Sequence, residues 1–185
     1  MSTEAYRKVF LKHQRTFVSA LAIFSHPNDQ KRDALLSDEN KASLHDAVTK
    51  AAKGEIVTLL LSGHSSSNKA LILNQLAHLA NAPVYRLDVA ELRKKYIGET
   101  EKNVARIIAE AQSSKAILFF DEAEALFGLD DNTDHIIGSY ANQEVSYVFK
   151  LCSQQAGLYV LASDEPRLGE LLYKRVNYLI RANQI

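Results

Sequence analysis

Residues 56–69 read Ile-Val-Thr-Leu-Leu-Leu-Ser-Gly-His-Ser-Ser-Ser-Asn-Lys, an apolar run followed by a short polar loop and a lysine. The run is typical of a buried strand, and the loop follows the spacing Gly-x-x-x-x-Gly-Lys-Ser/Thr at Gly63 and Lys69. It departs from that spacing at Asn68, where a second glycine belongs, and at Ala70, where a hydroxyl belongs. The stretch therefore indicates either an altered phosphate-binding loop or an ordinary strand-to-helix turn.

A phosphate-binding loop works because backbone N–H groups converge at a helix N-terminus and a lysine reaches the terminal phosphates. Asn tolerates a left-handed backbone better than most residues, so Asn68 is expected to preserve the shape of the loop. Ala70 cannot supply a hydroxyl ligand to Mg²⁺. The residues predicted to bind the cofactor are Gly63, His64, Ser65, Ser66, Ser67, Asn68, Lys69 and Ala70.

A second chemical motif follows the strongly apolar run 116–120, where the chain continues with Asp121 and Glu122. An aspartate at the end of a buried strand can hold hydrated Mg²⁺, and the next glutamate can polarise an attacking water. The same two residues also suit the acidic first turn of a helix. Their position downstream of the loop favours the metal and water roles.

Composition excludes several classes of protein. The 185 residues include 22 basic and 22 acidic side chains, so the absence of net charge argues against a general binder of nucleic acid or of anionic membranes. Cys152 is the only cysteine, which excludes an intramolecular disulfide framework and suits a reducing compartment, and we expect a cytoplasmic protein. The apolar stretch Phe17–Phe24 is too short to cross a bilayer, and no signal peptide is expected.

Apolar strands alternate with helical patterns from residue 55 onward, which indicates a mostly parallel sheet covered on both faces. The predicted strands are Ile56–Leu61, Pro83–Leu87, Ala116–Phe120, Leu158–Ala162 and Val176–Ile180. Before this region, the first 24 residues and residues 38–53 show helical spacing, with Gly54 at a helix end. The first of these helices is interpreted either as part of the core or as a docking surface for another protein.

Three longer segments resemble a known family. Tyr96–Asn103, Asp121–Gly128 and Tyr140–Tyr147 are similar to segments of the bacterial branch of AAA+ ATPases, and the resemblance runs from about Ile56 to Ile180. It implies the large nucleotide-binding subdomain over residues 55–185, after an N-terminal helical extension over 1–54. The implied fold is the three-layer α/β fold of P-loop nucleotide hydrolases, with a five-stranded parallel sheet in the order 5-1-4-3-2.

The resemblance also implies roles for single residues. Lys69 corresponds to the lysine that contacts phosphate, Asp121 to the Mg²⁺ ligand and Glu122 to the catalytic glutamate. Asp164 stands where the family has an asparagine that senses the γ-phosphate, and its carboxylate is expected to repel phosphate. Arg175 corresponds to the arginine finger, and Tyr96-Ile97-Gly98 to the pore loop that grips a polypeptide. A surface arginine and an exposed turn are the plainer interpretations of these last two.

Family members continue into a helical lid after the last strand, and we expect this chain to lack one, which leaves nucleotide held on one side. ATP or ADP and Mg²⁺ are therefore expected to bind weakly, with weak or absent hydrolysis. The protein is expected to act on or with protein partners, or in homo- or hetero-oligomers with AAA+ subunits. The alternative is a non-catalytic scaffold or regulator that needs no nucleotide.

Overall fold

The computed structural model describes residues 18–19, 36–88, 105–106, 108–123, 152, 154–164 and 176–182. Two long helices and six strands lie in these ranges. The helices are α1 (Asp38–Ala52) and α2 (Ser66–Ala80). The strands are β1 (Val18–Ser19), β2 (Ile56–Ser62), β3 (Val84–Asp88), β4 (Ile117–Asp121), β5 (Gly157–Ser163) and β6 (Tyr178–Arg181).

The six strands form one sheet in the order β1-β3-β4-β5-β2-β6. All pairs from β3 to β6 are parallel, with β5 between β2 and β4. This confirms the predicted five-stranded order, including the expectation that the acidic strand β4 reaches β2 only through β5. Since parallel strands end at the same edge, the residues after β2, β4 and β5 share the carboxyl edge of the sheet.

The sheet is buried on both faces, which explains why its strands are continuously apolar. Val57, Leu59 and Leu61 of β2 pack in one core cluster with apolar residues of α1 and α2. Leu60 alternates to the opposite face and is fully buried there. The core therefore places the N-terminus of α2 against the end of β2.

The helix α1 begins and ends where local signals predict. The Ser37 side chain accepts a hydrogen bond from the Asn40 N–H, and Asp38 and Glu39 occupy the first turn. Gly54 follows the helix with φ at 84°, a conformation that favours glycine. The predicted helical run over 38–53 is confirmed.

The helical prediction for the first 24 residues is wrong at Val18 and Ser19. These two residues form β1, which pairs antiparallel with β3 at the edge of the sheet. Pairing with the edge satisfies backbone groups of β3, and local apolar spacing does not report such a contact. The predicted helix over 140–154 lies almost entirely outside the described residues, and the one over 168–173 lies wholly outside them. Across the described ranges, no helix is long and apolar enough to cross a membrane.

Candidate functional site

The connection from β2 to α2 consists of Gly63, His64 and Ser65, because α2 already begins at Ser66. Gly63 has φ at 129°, and its N–H donates to the Ser163 carbonyl at 3.1 Å. The Ser65 hydroxyl caps the helix by accepting from the Asn68 N–H at 3.4 Å. The first-turn N–H groups of α2 lie at the carboxyl edge of the sheet, where a helix N-terminus favours an anion.

Asn68 does not preserve the predicted loop, which is a correction to the sequence analysis. The residue lies in the first turn of α2 and is not among the residues with positive φ. Its side-chain amide donates to the Ala182 carbonyl at 2.6 Å, directly after β6. The Asn68 side chain therefore connects the first turn of α2 to the residue after β6. Residues 66–69, which were predicted to lie in the loop, belong to the helix.

Lys69 is buried, and its ammonium forms an ion pair with the Asp164 carboxylate that follows β5. The Lys69 side chain is 10% exposed and the Asp164 side chain is 51% exposed, so Asp164 is the more solvent-exposed member of the pair. Asp164 was predicted to stand at the γ-phosphate sensor position of the catalytic site and to repel phosphate. The structure adds that Asp164 is the present partner of the cation that would bind phosphate.

A second ion pair joins Arg86 of β3 to Asp121 at the end of β4. Arg86 pairs in register with Phe119, two residues before Asp121, so the alternation of the strands places both side chains on one face. The predicted metal ligand is thus in contact with a guanidinium. Arg86 was not among the predicted site residues, because its contact with Asp121 depends on the register between β3 and β4.

The described residues do not fit a Mg²⁺ site. Ala70 offers a methyl group where a hydroxyl ligand is needed, and Asp121 is already paired with Arg86. Glu122 is exposed and has left-handed backbone with φ at 53°, and its N–H donates to the Asp121 carboxylate at 3.2 Å. Within the part of the chain that the structure describes, no group of three His, Cys, Asp or Glu residues could hold a metal ion.

The structure brings most of the predicted site residues to one edge of the sheet. Residues 63–70, Asp121, Glu122 and Asp164 lie at or just beyond the ends of β2, β4 and β5. His64, Ser66, Ser67 and Ala70 are exposed, whereas Gly63, Ser65 and Asn68 are partly buried. Arg175 and the predicted pore loop 96–98 lie outside the described residues, and their roles stay predictions.

The sequence that forms this arrangement matches a family profile described as "ATPase family associated with various cellular activities (AAA)" over residues 59–163. The chain belongs to the AAA family. The matched residues begin within β2 and end with β5, so they include the whole connection from β2 to α2 and the acidic end of β4. The matched range includes Lys69, Arg86 and Asp121 of the two ion pairs and ends one residue before Asp164.

Several AAA proteins share detectable sequence with this domain. Spastin from Ixodes scapularis is 32% identical over 78 residues, which are 42% of this chain and 12% of spastin. The peroxisomal ATPase PEX6 of Arabidopsis thaliana is 24% identical over 199 residues, covering 94% of this chain and 21% of PEX6. Cell division protein C of Sulfolobus acidocaldarius is 26% identical over 130 residues, covering 63% of this chain and 35% of that protein. The chain therefore spans only a fraction of the length of each of these relatives.

The fold is also similar to a solved structure. The crystal structure of the FIGL-1 AAA domain in complex with ADP superposes with a TM-score of 0.65 and 16% sequence identity. The match covers 98% of this chain and 62% of that chain. At this identity the similarity shows a common fold, that of AAA P-loop nucleotide hydrolases.

Proposed function

We propose that this AAA protein acts on or with protein partners, binds ATP or ADP weakly, and hydrolyses ATP weakly or not at all. The ion pair between Lys69 and Asp164 is the observation that carries the proposal. A nucleotide phosphate must separate this pair before it can reach the lysine. The cost of separation is subtracted from the affinity for nucleotide.

The remaining features of the edge support weak binding rather than none. The N-terminus of α2 is exposed at His64, Ser66 and Ser67, and it supplies partial positive charge whatever the side chains are. Hydrolysis needs more, because removal of one transition-state contact commonly costs about 10²- to 10³-fold in rate. Here Ala70 lacks the hydroxyl, and Asp164 replaces the asparagine that the family resemblance implies.

The alternative is a scaffold or regulator that needs no nucleotide. Lys69 was predicted to contact phosphate and Asp121 to bind Mg²⁺, but each is paired with an oppositely charged side chain of the same chain. A site whose charges are already paired within the protein favours the alternative. The two hypotheses differ in one respect. In a weak binder, removal of the Asp164 charge exposes a functional phosphate site, whereas in a scaffold it exposes nothing.

Calorimetric titration with ADP tests the proposal, run once with Mg²⁺ and once with EDTA. Asp164→Asn should bind ADP about tenfold more tightly than wild type in the better of the two conditions, since a hydrogen bond to a charged group contributes roughly 1.5–3 kcal/mol. Asp38→Asn is the matched control: it removes the same charge from an exposed carboxylate in the first turn of α1, which pairs with Lys41. Lys69→Ala added to Asp164→Asn should abolish the gain.

Two results would decide against the proposal. If Asp164→Asn binds no ADP in either condition, the scaffold hypothesis is correct. If wild type binds ADP tightly and turns over ATP rapidly, the ion pair does not restrain the site.

A further inference from the structure

We propose that Arg86 takes the place of the metal ion, so that this site binds a nucleoside polyphosphate as a free anion, without Mg²⁺. The inference rests on the proposed weak binding of nucleotide and specifies the chemical form of the ligand. It starts from the ion pair between Arg86 and Asp121, which puts a permanent cation on the carboxylate predicted to hold the metal.

The strand pairing makes this contact a fixed part of the sheet. Arg86 lies in the middle of β3 and pairs in register with Phe119 of β4, while Asp121 ends that neighbouring strand. Both residues alternate to the same face, where their side chains meet diagonally across the two strands. Their side chains are 36% and 31% exposed, so neither is a freely solvated surface group. A guanidinium held in this way remains charged at every pH at which the protein folds.

Arg86 also retains donors that the ion pair does not use. A guanidinium carries five N–H groups in a planar fork, and the contact with Asp121 is made through Nη2. Its Nε is buried and has no hydrogen-bond partner within the described residues, so a phosphate would reach the guanidinium through its Nη groups. Planar donors of this kind suit phosphate oxygens, so one guanidinium can bridge the Asp121 carboxylate and a phosphate. A divalent ion serves as that bridge in a metal-dependent site.

The other requirements of a metal site point the same way. A metal ion at Asp121 would have to displace Arg86, and Ala70 would give it no hydroxyl ligand. Lys69 and Arg86 are thus two cations that are each neutralised by a carboxylate at the carboxyl edge of the sheet, Asp164 and Asp121. Removal of either carboxylate should strengthen binding of a metal-free anion.

The substitution Asp121→Asn separates the two hypotheses because they predict different changes in the affinity for ADP in EDTA and in Mg²⁺. If Arg86 replaces the metal, Asp121→Asn frees the guanidinium and should raise the affinity for ADP in EDTA at least about threefold. If Asp121 binds Mg²⁺, the same substitution should lower the affinity in Mg²⁺ and leave it unchanged in EDTA. The measurement is calorimetric titration of ADP into Asp164→Asn and into Asp121→Asn/Asp164→Asn, with Asp38→Asn/Asp164→Asn as the charge control.

Arg86 itself provides the second arm. Arg86→Gln in the Asp164→Asn background should lose most of the ADP affinity measured in EDTA, and Arg86→Lys should retain part of it because the positive charge is kept. Thermal melting of each variant establishes that it is folded. If Arg86→Gln does not fold, the comparison of Arg86→Lys with Asp164→Asn decides alone: an unchanged affinity in EDTA would overturn the inference.

The outcomes also separate this inference from the proposed function. Binding of ADP by Asp164→Asn only in Mg²⁺ overturns the role of Arg86 and leaves the proposed weak nucleotide binding intact. Binding in neither condition overturns both. Equal or tighter binding in EDTA, increased by Asp121→Asn and reduced by Arg86→Gln, is the result that supports Arg86 as the replacement for the metal.

Discussion

Glu122 is predicted from the family resemblance to be the catalytic glutamate, but its surroundings do not suit that role. The residue is exposed, and its backbone lies in the left-handed region, which costs a non-glycine residue roughly 1–2 kcal/mol. Its N–H is directed to the Asp121 carboxylate, which in turn pairs with Arg86. Under the proposed role of Arg86, no metal ion would stabilise the charge that develops when a water polarised by Glu122 attacks phosphate.

We therefore expect Glu122→Gln to leave the release of phosphate from ATP unchanged, within about twofold of a wild-type rate already near background. The measurement is a coupled phosphate assay with excess ATP and Mg²⁺. The same assay without the protein serves as the blank. A wild-type rate well above the blank, reduced ~10²-fold or more by this substitution, would show that Glu122 is catalytic.

Among the elements, α2 decides the shape of the site because both of its ends are specified by side chains. Ser65 caps the N-terminus, so helix begins at Ser66 and the connection from β2 is only three residues long. Asn81 ends the helix in the left-handed conformation, with φ at 46° and ψ at 47°, and its N–H donates to carbonyls of the preceding turn. The caps therefore determine where α2 begins after β2 and where it ends before β3.

Asn81 gives a prediction about the stability of this element. Asn81→Ala should lower the free energy of unfolding by about 1 kcal/mol, because alanine tolerates the left-handed conformation poorly. Asn81→Gly should cost less than that, because glycine adopts this conformation without steric penalty. Urea denaturation followed by circular dichroism measures both. Equal destabilisation by alanine and by glycine would mean that the asparagine side chain, and not its backbone, holds the end of α2.

At the scale of the whole molecule, Asp46 and Lys50 of α1 contact Tyr178 of β6, which lies 132 and 128 residues further along the chain. The Lys50 ammonium contacts the Asp46 carboxylate and the Tyr178 hydroxyl, at 2.8 and 2.9 Å, and the hydroxyl also donates to Asp46. The hydrogen bond from Lys50, and then that from Tyr178, lowers the pKa of Asp46 below its ordinary value of 3.8. The contact with Asp46 raises the pKa of Lys50.

The sign of the Asp46 shift predicts how this contact depends on pH. A carboxyl whose pKa is lowered by folding stabilises the protein above its unfolded pKa, and that contribution is lost as pH falls through the folded value. Asp46→Asn should therefore lower the thermal midpoint at neutral pH, and its difference from wild type should shrink below about pH 4. Differential scanning calorimetry at a series of pH values measures the difference. Asp38→Asn, which disrupts an exposed pair with Lys41, is the control and should change the midpoint less.

The amino-acid sequence by itself determined the class of fold, and the family resemblance of its motifs implied the order of the central strands. Strands that are buried on both faces have continuous apolar sequences, as β2, β4 and β5 do. This local pattern can be recognised without knowledge of the tertiary contacts. The end of α1 at Gly54 was also predicted from the sequence, since capping is a property of a few adjacent residues. The loop and the acidic strand end were predicted correctly to share the carboxyl edge, because parallel strands end together.

Only the tertiary structure decided how the charges at that edge are paired. Lys69 meets Asp164 across 95 residues, and Arg86 meets Asp121 through the register of two strands. Such contacts depend on which strands are neighbours, on their register and on side-chain rotamers, none of which is encoded in local spacing. The same reason accounts for β1, whose partner β3 is distant in sequence, and for Asn68, whose amide is directed to the end of β6. The sequence therefore predicted most residues of the candidate site, and long-range packing determined that Lys69 and Arg86 are paired with carboxylates of the same chain.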